Sequence, residues 1–535
     1  MATLQDFRDE RLRKLNENRE MGVDPYPATT ARDTEIGAVT ADFATMDGKT
    51  VTVAGRIVSI RKFGKIAFIV VRDYSGEVQL FLKDGEIEER TAVDPSSRER
   101  SSHLSSQGSS LTSLPSFGSL AETEPTTTQQ LGLSELNLLD SGDFIEATGD
   151  VGKTKTGEIS VMTRRLKMLS KALRPMPTKQ DGFTNKEERM RRRYIDMNVN
   201  LDVRERFVRR AKFWQANRDF LNRNGFIEIN TPVLEHTTGG ADANPFVTHM
   251  DALDQNFYLR ISHELPLKRL IGAGYEKVYD IGPRFRNENY SDEHLPEHVA
   301  MEWYAAYWDW RDGMKFMEEM YRYMLGEAFG TLKFKVRGFE IDMGAEWQVK
   351  DYAELVAERF GIDVYNTTLD EVKKALKDNG LEVEATENMA RGIDKLWKSI
   401  RATIGGPIWV TGEPKFLSPL AKTAADGRSA QRFHPIIAGT ELGNGFSELN
   451  DPQDQLARFT EQQQMRDAGD DEAMMLDIDF VEMLEYGMPP ACGWGHSERV
   501  FWIFEGVTAR EGVPFPQLRR ETDSTTRAIY GDIVE

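Results

Sequence analysis

The strongest constraint on the fold is a run of alternating apolar and polar residues that begins at Val51. Residues 51–85 read VTVAGRIVSIRKFGKIAFIVVRDYSGEVQLFLKDG, and the segments Phe63–Lys65 and Asp73–Gly76 divide this run into three. Alternation broken by turn-forming residues predicts three β-strands joined by short turns. A further pair of alternating segments flanks Lys153–Gly157. Five short strands of this kind predict a small closed β-barrel.

The chain is too long for a small barrel to be its only domain. It has 535 residues, of which 39% are hydrophobic and 29% charged, a composition typical of globular proteins and not of disordered, fibrous or membrane chains. At this length, about two to four domains are expected. The only cysteine is Cys492, which excludes an internal disulfide. Because the N-terminus also lacks an apolar signal sequence, we expect a reducing, cytoplasmic location.

The net charge gives conflicting indications about a nucleic-acid partner. The chain has 68 basic and 87 acidic residues, a net charge of −19, which taken alone argues against one. Charge is local, however: residues 163–212 contain 16 Lys or Arg and 6 Asp or Glu, a net charge of +10. We therefore expect this segment to lie where phosphates approach.

Composition and periodicity divide the chain into three parts with an α+β fold. Residues 1–48 are predicted to form a helical extension, and residues 49–172 an OB-type barrel. Within the barrel, an insertion at about 88–132 is predicted to be disordered, because 11 of the 24 residues from 96 to 119 are serine. Residues 173–535 form the remaining domain, with a helical insertion at about 350–405.

Three segments of this last domain carry candidate chemistry. Arg286 and Glu288 are two apart after a strand-like segment, so on a continued strand they would point the same way and bind an anion beside an amine; a surface ion pair is the alternative. Glu441 and Glu448 flank glycines that would permit a bulge and bring both carboxylates inward, although a glycine-rich acidic turn is an equal alternative. The glycines before Arg499 lead into an apolar helix, where backbone can approach a nucleotide.

Taken in order, these segments resemble the class II aminoacyl-tRNA synthetases. NGFIEINTP at 224–232 resembles motif 1, FRNE at 285–288 resembles motif 2, and the segment ending at Arg499 resembles motif 3. Further stretches are similar to the lysyl enzymes of this class: TGGA at 238–241, LRISHEL at 259–265, SPLA at 418–421, GNGFSELND at 443–451, and KTKTGE in the barrel. GNGFSELND is the most specific of these, because the aspartyl and asparaginyl relatives differ there.

The resemblance covers most of residues 50–505 and implies a fold and a reaction. The implied catalytic domain is a six-stranded antiparallel sheet flanked by helices, which dimerises through motif 1. The implied reaction joins L-lysine and ATP into lysyl-adenylate and then transfers lysine to the 3′ end of its tRNA. The expected partners are therefore tRNA(Lys), L-lysine and ATP, with Mg²⁺ as cofactor and a second copy of the chain.

The resemblance also implies a role for individual residues. Those expected to bind lysine are Gly240, Glu264, Arg286, Glu302, Tyr304, Asn444, Phe446 and Glu448. Those expected to bind ATP are Arg286, Glu288, His294, His298, Glu441 and Arg499. Arg286 and Arg499 are expected to be catalytic, and Glu441 to bind Mg²⁺. Within the lysine set, Glu264 and Gly240 match the α-amino positions, whereas Glu448 and Tyr304 match those for the ε-ammonium.

The barrel is expected to read the anticodon. Phe68 matches a base-stacking aromatic, Gln79 and Glu158 match contacts to base edges, and Arg61 lies near them in sequence. Single-stranded bases are commonly recognised by stacking and by hydrogen bonds to their edges. The alternative for Phe68 is that it belongs to the barrel core.

Four positions depart from the family pattern, and all lie on the ATP side. His434 stands where a second magnesium carboxylate is usual, so it is the second candidate metal ligand after Glu441, at a position where metal binding is expected to be weakened or lost. Glu293 adds a negative charge near the expected γ-phosphate, His298 replaces an adenine-stacking phenylalanine, and His496 stands where glycine is usual. These departures motivate an alternative, a paralogue that binds lysine or tRNA with impaired adenylation. A ligase that attaches lysine to protein is less consistent with the retained barrel.

Overall fold

The computed structural model describes residues 3–89, 129–177, 183–288, 291–383, 388–470 and 472–531. The chain divides into two compact units. The first consists of residues 1–182 together with 519–535, and the second of residues 183–518. The first unit thus contains both ends of the chain, whereas the sequence assigned residues 519–535 to the catalytic domain. Among the described residues, no helix is both long and apolar enough to span a lipid bilayer.

The first unit is built on the predicted barrel. Its elements in chain order are α1 (Leu4–Glu20), α2 (Ile36–Ala41), α3 (Phe43–Met46), β1 (Thr50–Phe63), β2 (Ile66–Arg72), β3 (Glu77–Lys83), β4 (Phe144–Lys153) and β5 (Ile159–Ser170). The five strands close in the order β1-β2-β3-β5-β4, with β3 and β5 parallel and the other pairs antiparallel. Alternate residues such as Ala67, Ile69 and Val71 fill the interior, which confirms the prediction from period-two alternation.

Most of the predicted disordered insertion, 90–128, lies outside the described residues. At its C-terminal end the chain is part of the barrel, because Leu131 is buried in the core and Gln130 forms a β-bridge with Lys167. A 3₁₀-helix at Ser134–Leu138 then leads into β4. The last helix of the first unit covers Ser524–Tyr530, and Tyr530 lies beneath the guanidinium of Arg174 at 5.9 Å.

The second unit is an α+β domain. Its helices are α4 (Lys186–Arg191), α5 (Arg193–Val199), α6 (Leu201–Arg223), α7 (Glu264–Gly272), α8 (Trp310–Phe329), α9 (Tyr352–Phe360), α10 (Leu369–Asp378), α11 (Met389–Arg401), α12 (Pro452–Asp467), α13 (Ile478–Tyr486), α14 (Arg499–Glu505) and α15 (Ala509–Gly512). Its strands are β6 (Ile227–Glu228), β7 (Leu234–Glu235), β8 (Val247–Met250), β9 (Gln255–Leu259), β10 (Lys277–Phe285), β11 (Glu297–Ala306), β12 (Lys333–Val336), β13 (Phe339–Asp342), β14 (Gln348–Asp351), β15 (Ile408–Thr411), β16 (Arg432–Ile437), β17 (Thr440–Glu441), β18 (Asn444–Ser447) and β19 (Ala491–Ser497).

The main sheet of the second unit extends the expected six-stranded arrangement. Within the described part of the chain it has nine strands, eight of them in the order β14-β15-β16-β18-β19-β11-β10-β6, while β17 pairs with β16. The six strands from β15 to β10 are antiparallel, as the resemblance implied. A parallel strand is added at each edge, β14 on β15 and β6 on β10.

Strand alternation separates the core from the site. On β11, Met301, Trp303 and Ala305 pack into the largest core with residues of α6, α8 and α14. The intervening Glu302 and Tyr304 point to the other face, as Gly493 and Gly495 do on β19. The insertion helices α9, α10 and α11 have a core of their own, in the region where a helical insertion was expected.

Candidate active site

One cavity of about 330 Å³ collects most of the residues that the resemblance singles out. It is formed by the polar face of β10, β11, β18 and β19 and by the loops that end these strands. The predicted site residues that line it are Gly240, Glu264, Arg286, Glu288, His294, His298, Glu302, Tyr304, Glu441, Asn444, Phe446 and Arg499. Glu448 and His434 do not line it, although both are buried nearby.

Carboxylates dominate one end of the cavity. Glu302 accepts hydrogen bonds from Ser262 Oγ at 2.8 Å, from the backbone N–H of His263 at 3.1 Å and from the Tyr304 hydroxyl at 3.2 Å. Burial works to raise the pKa of Glu302, but the His263 ring and the Arg284 guanidinium hold that pKa at about 2. Glu302 is therefore ionised at neutral pH, and its oxygens are already engaged by protein donors.

A lysine that sequence reasoning missed joins two of the predicted carboxylates. Lys268 lies one helical turn after Glu264 on α7, and its Nζ is 2.6 Å from Glu264 Oε1. The same ammonium forms an ion pair with Glu448 Oε2. Burial raises the pKa of Glu264 to about 7 and raises that of Glu448. The i, i+4 spacing of Glu264 and Lys268 is a signal that the sequence contained.

Guanidinium groups dominate the other end. The buried Nε atoms of Arg286 and Arg499 have no hydrogen-bond partner within the described residues. Arg284 also lines the cavity, and burial together with the charge of Arg286 lowers its pKa to about 9. Sequence reasoning missed Arg284, although its position two residues before Arg286 on β10 places it on the cavity face. The arrangement is suited to an anion that enters from solvent.

His298 supports Arg284 through the edge of its ring. Arg284 Nε donates to His298 Nε2 at 2.8 Å, so the proton of this imidazole lies on Nδ1, which donates to the Leu295 carbonyl at 3.1 Å. Burial and the nearby arginines lower the pKa of His298 well below its usual range. The ring is thus a neutral group fixed in one orientation beside the arginines.

The groups around Glu441 indicate what kind of metal site its carboxylate could form. Its oxygens lie 3.5 Å from Arg432 Nη2 and 3.5 Å from Arg401 Nη1, and no group of three or more His, Cys, Asp or Glu suited to a metal occurs among the described residues. Mg²⁺ commonly takes one or two carboxylates together with substrate phosphates. The donor set around Glu441 therefore fits a metal shared with ATP and does not fit an all-protein cage.

His434 is placed differently from the expectation that it could be a metal ligand. Its ring is buried, lies outside the cavity lining, and has no hydrogen-bond partner on either nitrogen within the described chain. Burial lowers its pKa to about 4, so it is neutral. Glu413, which sequence reasoning did not single out, lies 3.7 Å from His434 Nδ1 and 2.8 Å from Arg432. No signal in the sequence identified Glu413.

The other departures from the family pattern have local partners. Glu293 pairs with Arg337 at 2.6 Å, which compensates the charge expected near the γ-phosphate. His496 packs into the core, where its ring stacks on Trp214 at 6.2 Å and accepts a hydrogen bond from Trp494 Nε1 at 3.0 Å. His496 also lines the cavity beside Gly493 and Gly495, but its ring is buried against Trp214 and Trp494.

Two glycines keep the cavity open. Gly443 has φ +156°, and a Cβ there would lie 2.2 Å from the Trp494 ring. This glycine separates β17 from β18. A break in the strand, in place of the predicted bulge, therefore places Glu441 in the cavity lining and leaves Glu448 buried nearby. A Cβ on Gly493 would lie 2.2 Å from the Tyr304 ring and 2.3 Å from Glu448 Oε1.

The prediction for Glu288 needs correction. Arg286 and Glu288 were expected on one strand, but β10 ends at Phe285 and both residues lie in the loop that follows. Both still line the cavity. Strand alternation therefore does not explain their common direction; the loop is held by hydrogen bonds from Arg286 N to the Pro296 carbonyl and from Asn287 N to the Asn244 carbonyl.

The predicted anticodon residues share one region of the barrel. Phe68 is half-buried between the buried Ala67 and Ile69, so it is outside the core, contrary to the alternative interpretation. It pairs across strands with Arg61 and with Phe81, whose ring is 5.3 Å away. Gln79 donates to Ser160 Oγ at 3.0 Å, and the exposed Glu158 is two residues before Ser160.

Comparison with known proteins agrees with this architecture. Residues 185–519 match the tRNA synthetases of class II (D, K and N), and residues 51–97 match the OB-fold nucleic acid binding domain. The chain is 37% identical over 529 residues to the lysine–tRNA ligase of Thermotoga maritima, with 96% of each chain covered. It is 39% identical over 524 residues to that of Roseiflexus castenholzii, covering 96% of this chain and 99% of the relative. The chain therefore belongs to the class II tRNA synthetases and, within them, to the lysine–tRNA ligase family.

Proposed function

We propose that the protein activates L-lysine with ATP to form lysyl-adenylate and pyrophosphate, and then transfers lysine to the 3′-terminal adenosine of tRNA(Lys). The observation that carries this proposal is the polarity of the cavity. Carboxylates that outnumber their cations lie at one end, and the other end has two arginines whose Nε atoms have no hydrogen-bond partner in the described part of the chain. A substrate with two ammonium groups fits the first end, and a carboxylate beside a triphosphate fits the second.

At the acidic end, the proposed lysine contacts divide between two subsites. Glu264 and Gly240 receive the α-amino group, and Glu448 and Tyr304 receive the ε-ammonium. The absence of a side chain at Gly493 supports this, because it leaves space beside Tyr304 and Glu448 Oε1. Phe446 lines the path between the subsites, and Glu302 holds Tyr304 through the hydroxyl hydrogen bond.

At the basic end, Arg286 and Asn444 hold the lysine carboxylate against the α-phosphate. One carboxylate oxygen forms a bond to the α-phosphorus as the bond to the pyrophosphate oxygen breaks, so no general base is needed. Arg286 stabilises the charge on the α-phosphate, and positioning with electrostatic stabilisation lowers the barrier. Glu288 accepts from the adenine amine, Arg499 covers the adenine ring, and His294 and His298 complete the ATP pocket.

The Glu441 carboxylate is proposed to hold Mg²⁺ together with the ATP phosphates. The ion would supply charge neutralisation for the departing pyrophosphate. His434 has no part in this proposal, because it lies outside the cavity lining. Three of the ATP-side departures that favoured a non-adenylating paralogue, Glu293, His298 and His496, have local partners, and no observation favours that alternative.

Three further features belong to the proposal. The barrel surface formed by Arg61, Phe68, Gln79 and Glu158 binds the anticodon. Two copies of the chain associate through residues 224–232, where Ile227 is 52% exposed on the edge strand β6. The protein acts in the cytoplasm. A single species of monomer mass at micromolar concentration in light scattering would contradict the dimer.

The central test is lysine-dependent exchange of pyrophosphate into ATP in the presence of Mg²⁺. We expect exchange with lysine and little with ornithine or arginine, and charging of a tRNA(Lys) transcript that weakens when the anticodon is changed. An absence of exchange at saturating lysine, ATP and Mg²⁺ would refute the proposed activity. Equal charging of transcripts with and without the native anticodon would refute the barrel assignment alone.

A further inference from the structure

A buried cluster of three charges spans the two lysine subsites. The side chain of Lys268 is 1% exposed, and those of Glu264 and Glu448 are 7% and 0% exposed. The ammonium contacts one oxygen of each carboxylate, Oε1 of Glu264 and Oε2 of Glu448. One internal cation thus links the acid proposed for the α-amino group to the acid proposed for the ε-ammonium.

The cluster leaves one oxygen of Glu448 directed to the cavity side. Glu448 Oε1 has no hydrogen-bond partner within the described residues. A Cβ on Gly493, which lines the cavity, would lie 2.3 Å from this oxygen. Lys268 therefore pairs with Oε2, the inner oxygen of the Glu448 carboxylate, and leaves Oε1, the outer oxygen, for a substrate cation.

The cluster also lacks one positive charge. Two buried carboxylates face a single ammonium, and like charges in a buried site favour protonation of one of them. Other charged or titratable groups reach the cluster from the neighbouring elements: Glu302 and Tyr304 on β11, Arg432 on β16, and Cys492 on β19. Glu302 is itself an ionised carboxylate, and Arg432 is paired with Glu413 at 2.8 Å, so neither supplies the missing positive charge.

We propose that Lys268 is a positioning residue of the lysine site, which holds Glu264 and Glu448, with one proton shared between them, in their substrate-facing arrangement until the substrate supplies the second cation. The inference rests on the proposed lysine site. It adds that recognition of lysine depends on a residue that does not touch lysine. Since Lys268 also lies 5.3 Å from the Phe446 ring centroid, a purely structural role is the alternative that an experiment must exclude.

The test compares Lys268→Met and Lys268→Arg with the native protein in the pyrophosphate exchange assay. Lys268→Met is expected to raise the KM for lysine at least 10-fold at pH 7, with the KM for ATP changed less than about two-fold. Removing the cation raises the carboxylate pKa values, and the carboxylate form is the binding form. The rise of kcat/KM for lysine with pH is therefore expected to move upward by more than one pH unit, whereas Lys268→Arg restores the native profile.

Lys171 provides a matched control. Its side chain is also 0% exposed, and its ammonium lies 2.5 Å from Asp140 and 2.8 Å from Asp143 in the barrel unit. Lys171→Met removes the same kind of buried cation, so it is expected to lower the Tm without changing the KM for lysine. Two results would assign Lys268 a structural role and overturn the proposal. One is an equal decrease of kcat/KM for lysine and for ATP in Lys268→Met, and the other is an unchanged pH profile of kcat/KM for lysine in the folded variant.

A second measurement does not depend on folding of a variant. Calorimetric titration of the native protein with lysine, near pH 7 in two buffers of different ionisation enthalpy, reports the protons exchanged on binding. We expect net proton release, because the substrate ammonium replaces the proton shared by the carboxylates. Lysine binding without proton release from pH 6 to pH 8 would overturn the proposal. Absence of lysine-dependent exchange by the native protein would instead refute the proposed function itself.

Discussion

Glu448 offers the most direct test of the proposed lysine site. Its carboxylate is buried, its inner oxygen is paired with Lys268 and its outer oxygen has no partner in the described chain. Glu448→Gln keeps the size of the side chain and removes the charge. In the variant, Lys268 retains Glu264 at 2.6 Å, so no internal cation is left unpaired and the loss falls on the substrate ammonium.

The expected magnitude follows from the burial of that ammonium. Truncating one partner of a desolvated ion pair costs about 2–4 kcal/mol, which corresponds to a roughly 30- to 900-fold decrease in kcat/KM for lysine. The assay is pyrophosphate exchange with lysine varied at saturating ATP, and the KM for ATP is expected to stay within about two-fold of the native value.

A matched variant separates this effect from general destabilisation. Glu505 is an acid of the second unit whose side chain is 7% exposed. It forms an ion pair with Arg209 at 2.5 Å, and neither residue lines the cavity. Glu505→Gln is expected to lower the Tm and to leave the kinetics for lysine unchanged. If folded Glu448→Gln kept native kcat/KM for lysine, the ε-ammonium would not be bound at this carboxylate, and the reasoning would be refuted.

Three further predictions concern other parts of the chain. Gly493→Ala places a methyl group 2.2 Å from the Tyr304 ring, so we expect the KM for lysine to rise at least 10-fold with little change for ATP; an equal loss for both substrates would indicate misfolding. Phe68→Ala is expected to weaken tRNA binding by about 1–3 kcal/mol for the lost stacked base, which lowers kcat/KM for tRNA charging while the rate of pyrophosphate exchange stays native. A parallel loss of both activities would contradict the anticodon role. Deletion of residues 96–119 is expected to leave the Tm and exchange nearly unchanged, because closure entropy depends only weakly on loop length; a large fall in Tm would show that the segment contributes to the fold.

Patterns local in sequence predicted the fold well. The period-two run from Val51 predicted the strands of the barrel, and helical periodicity predicted the insertion at about 350–405 that contains α9, α10 and α11. These succeed because burial of one strand face or one helix stripe is set by neighbouring residues. The parallel edge strands were not predicted, because a short strand such as Gln348–Asp351 lacks an alternation of its own.

Several arginines of the basic segment, residues 163–212, have acidic partners that the charge count did not reveal. The net +10 of residues 163–212 was expected to face phosphates. In the second unit, however, Arg193 pairs with Asp196, Arg209 with Glu505, and Arg210 with Glu498. Several of these arginines therefore stabilise the helices that carry them. A local charge count does not reveal such pairs, because two of the three acids lie nearly 300 residues away in sequence.

The site was predicted through resemblance more than through physics. The motifs identified Glu264, Arg286 and Glu448, and no spacing rule indicated that Lys268 would join the two acids across 180 residues of sequence. Glu413 and His434 show the same limit, since their proximity depends on the neighbouring strands β15 and β16. Contacts between distant segments determine which charges compensate one another, and a single sequence carries no direct record of them.

The presence of both chain ends in the first unit has a consequence for biogenesis. The barrel strands are complete by residue 170, but the helix at Ser524–Tyr530 follows the whole second unit in sequence. A nascent chain can therefore close its barrel early, while the surface that receives this helix waits for the whole second unit. A chain that stops at residue 518 would therefore retain every strand of the catalytic sheet and still have an unfinished first unit.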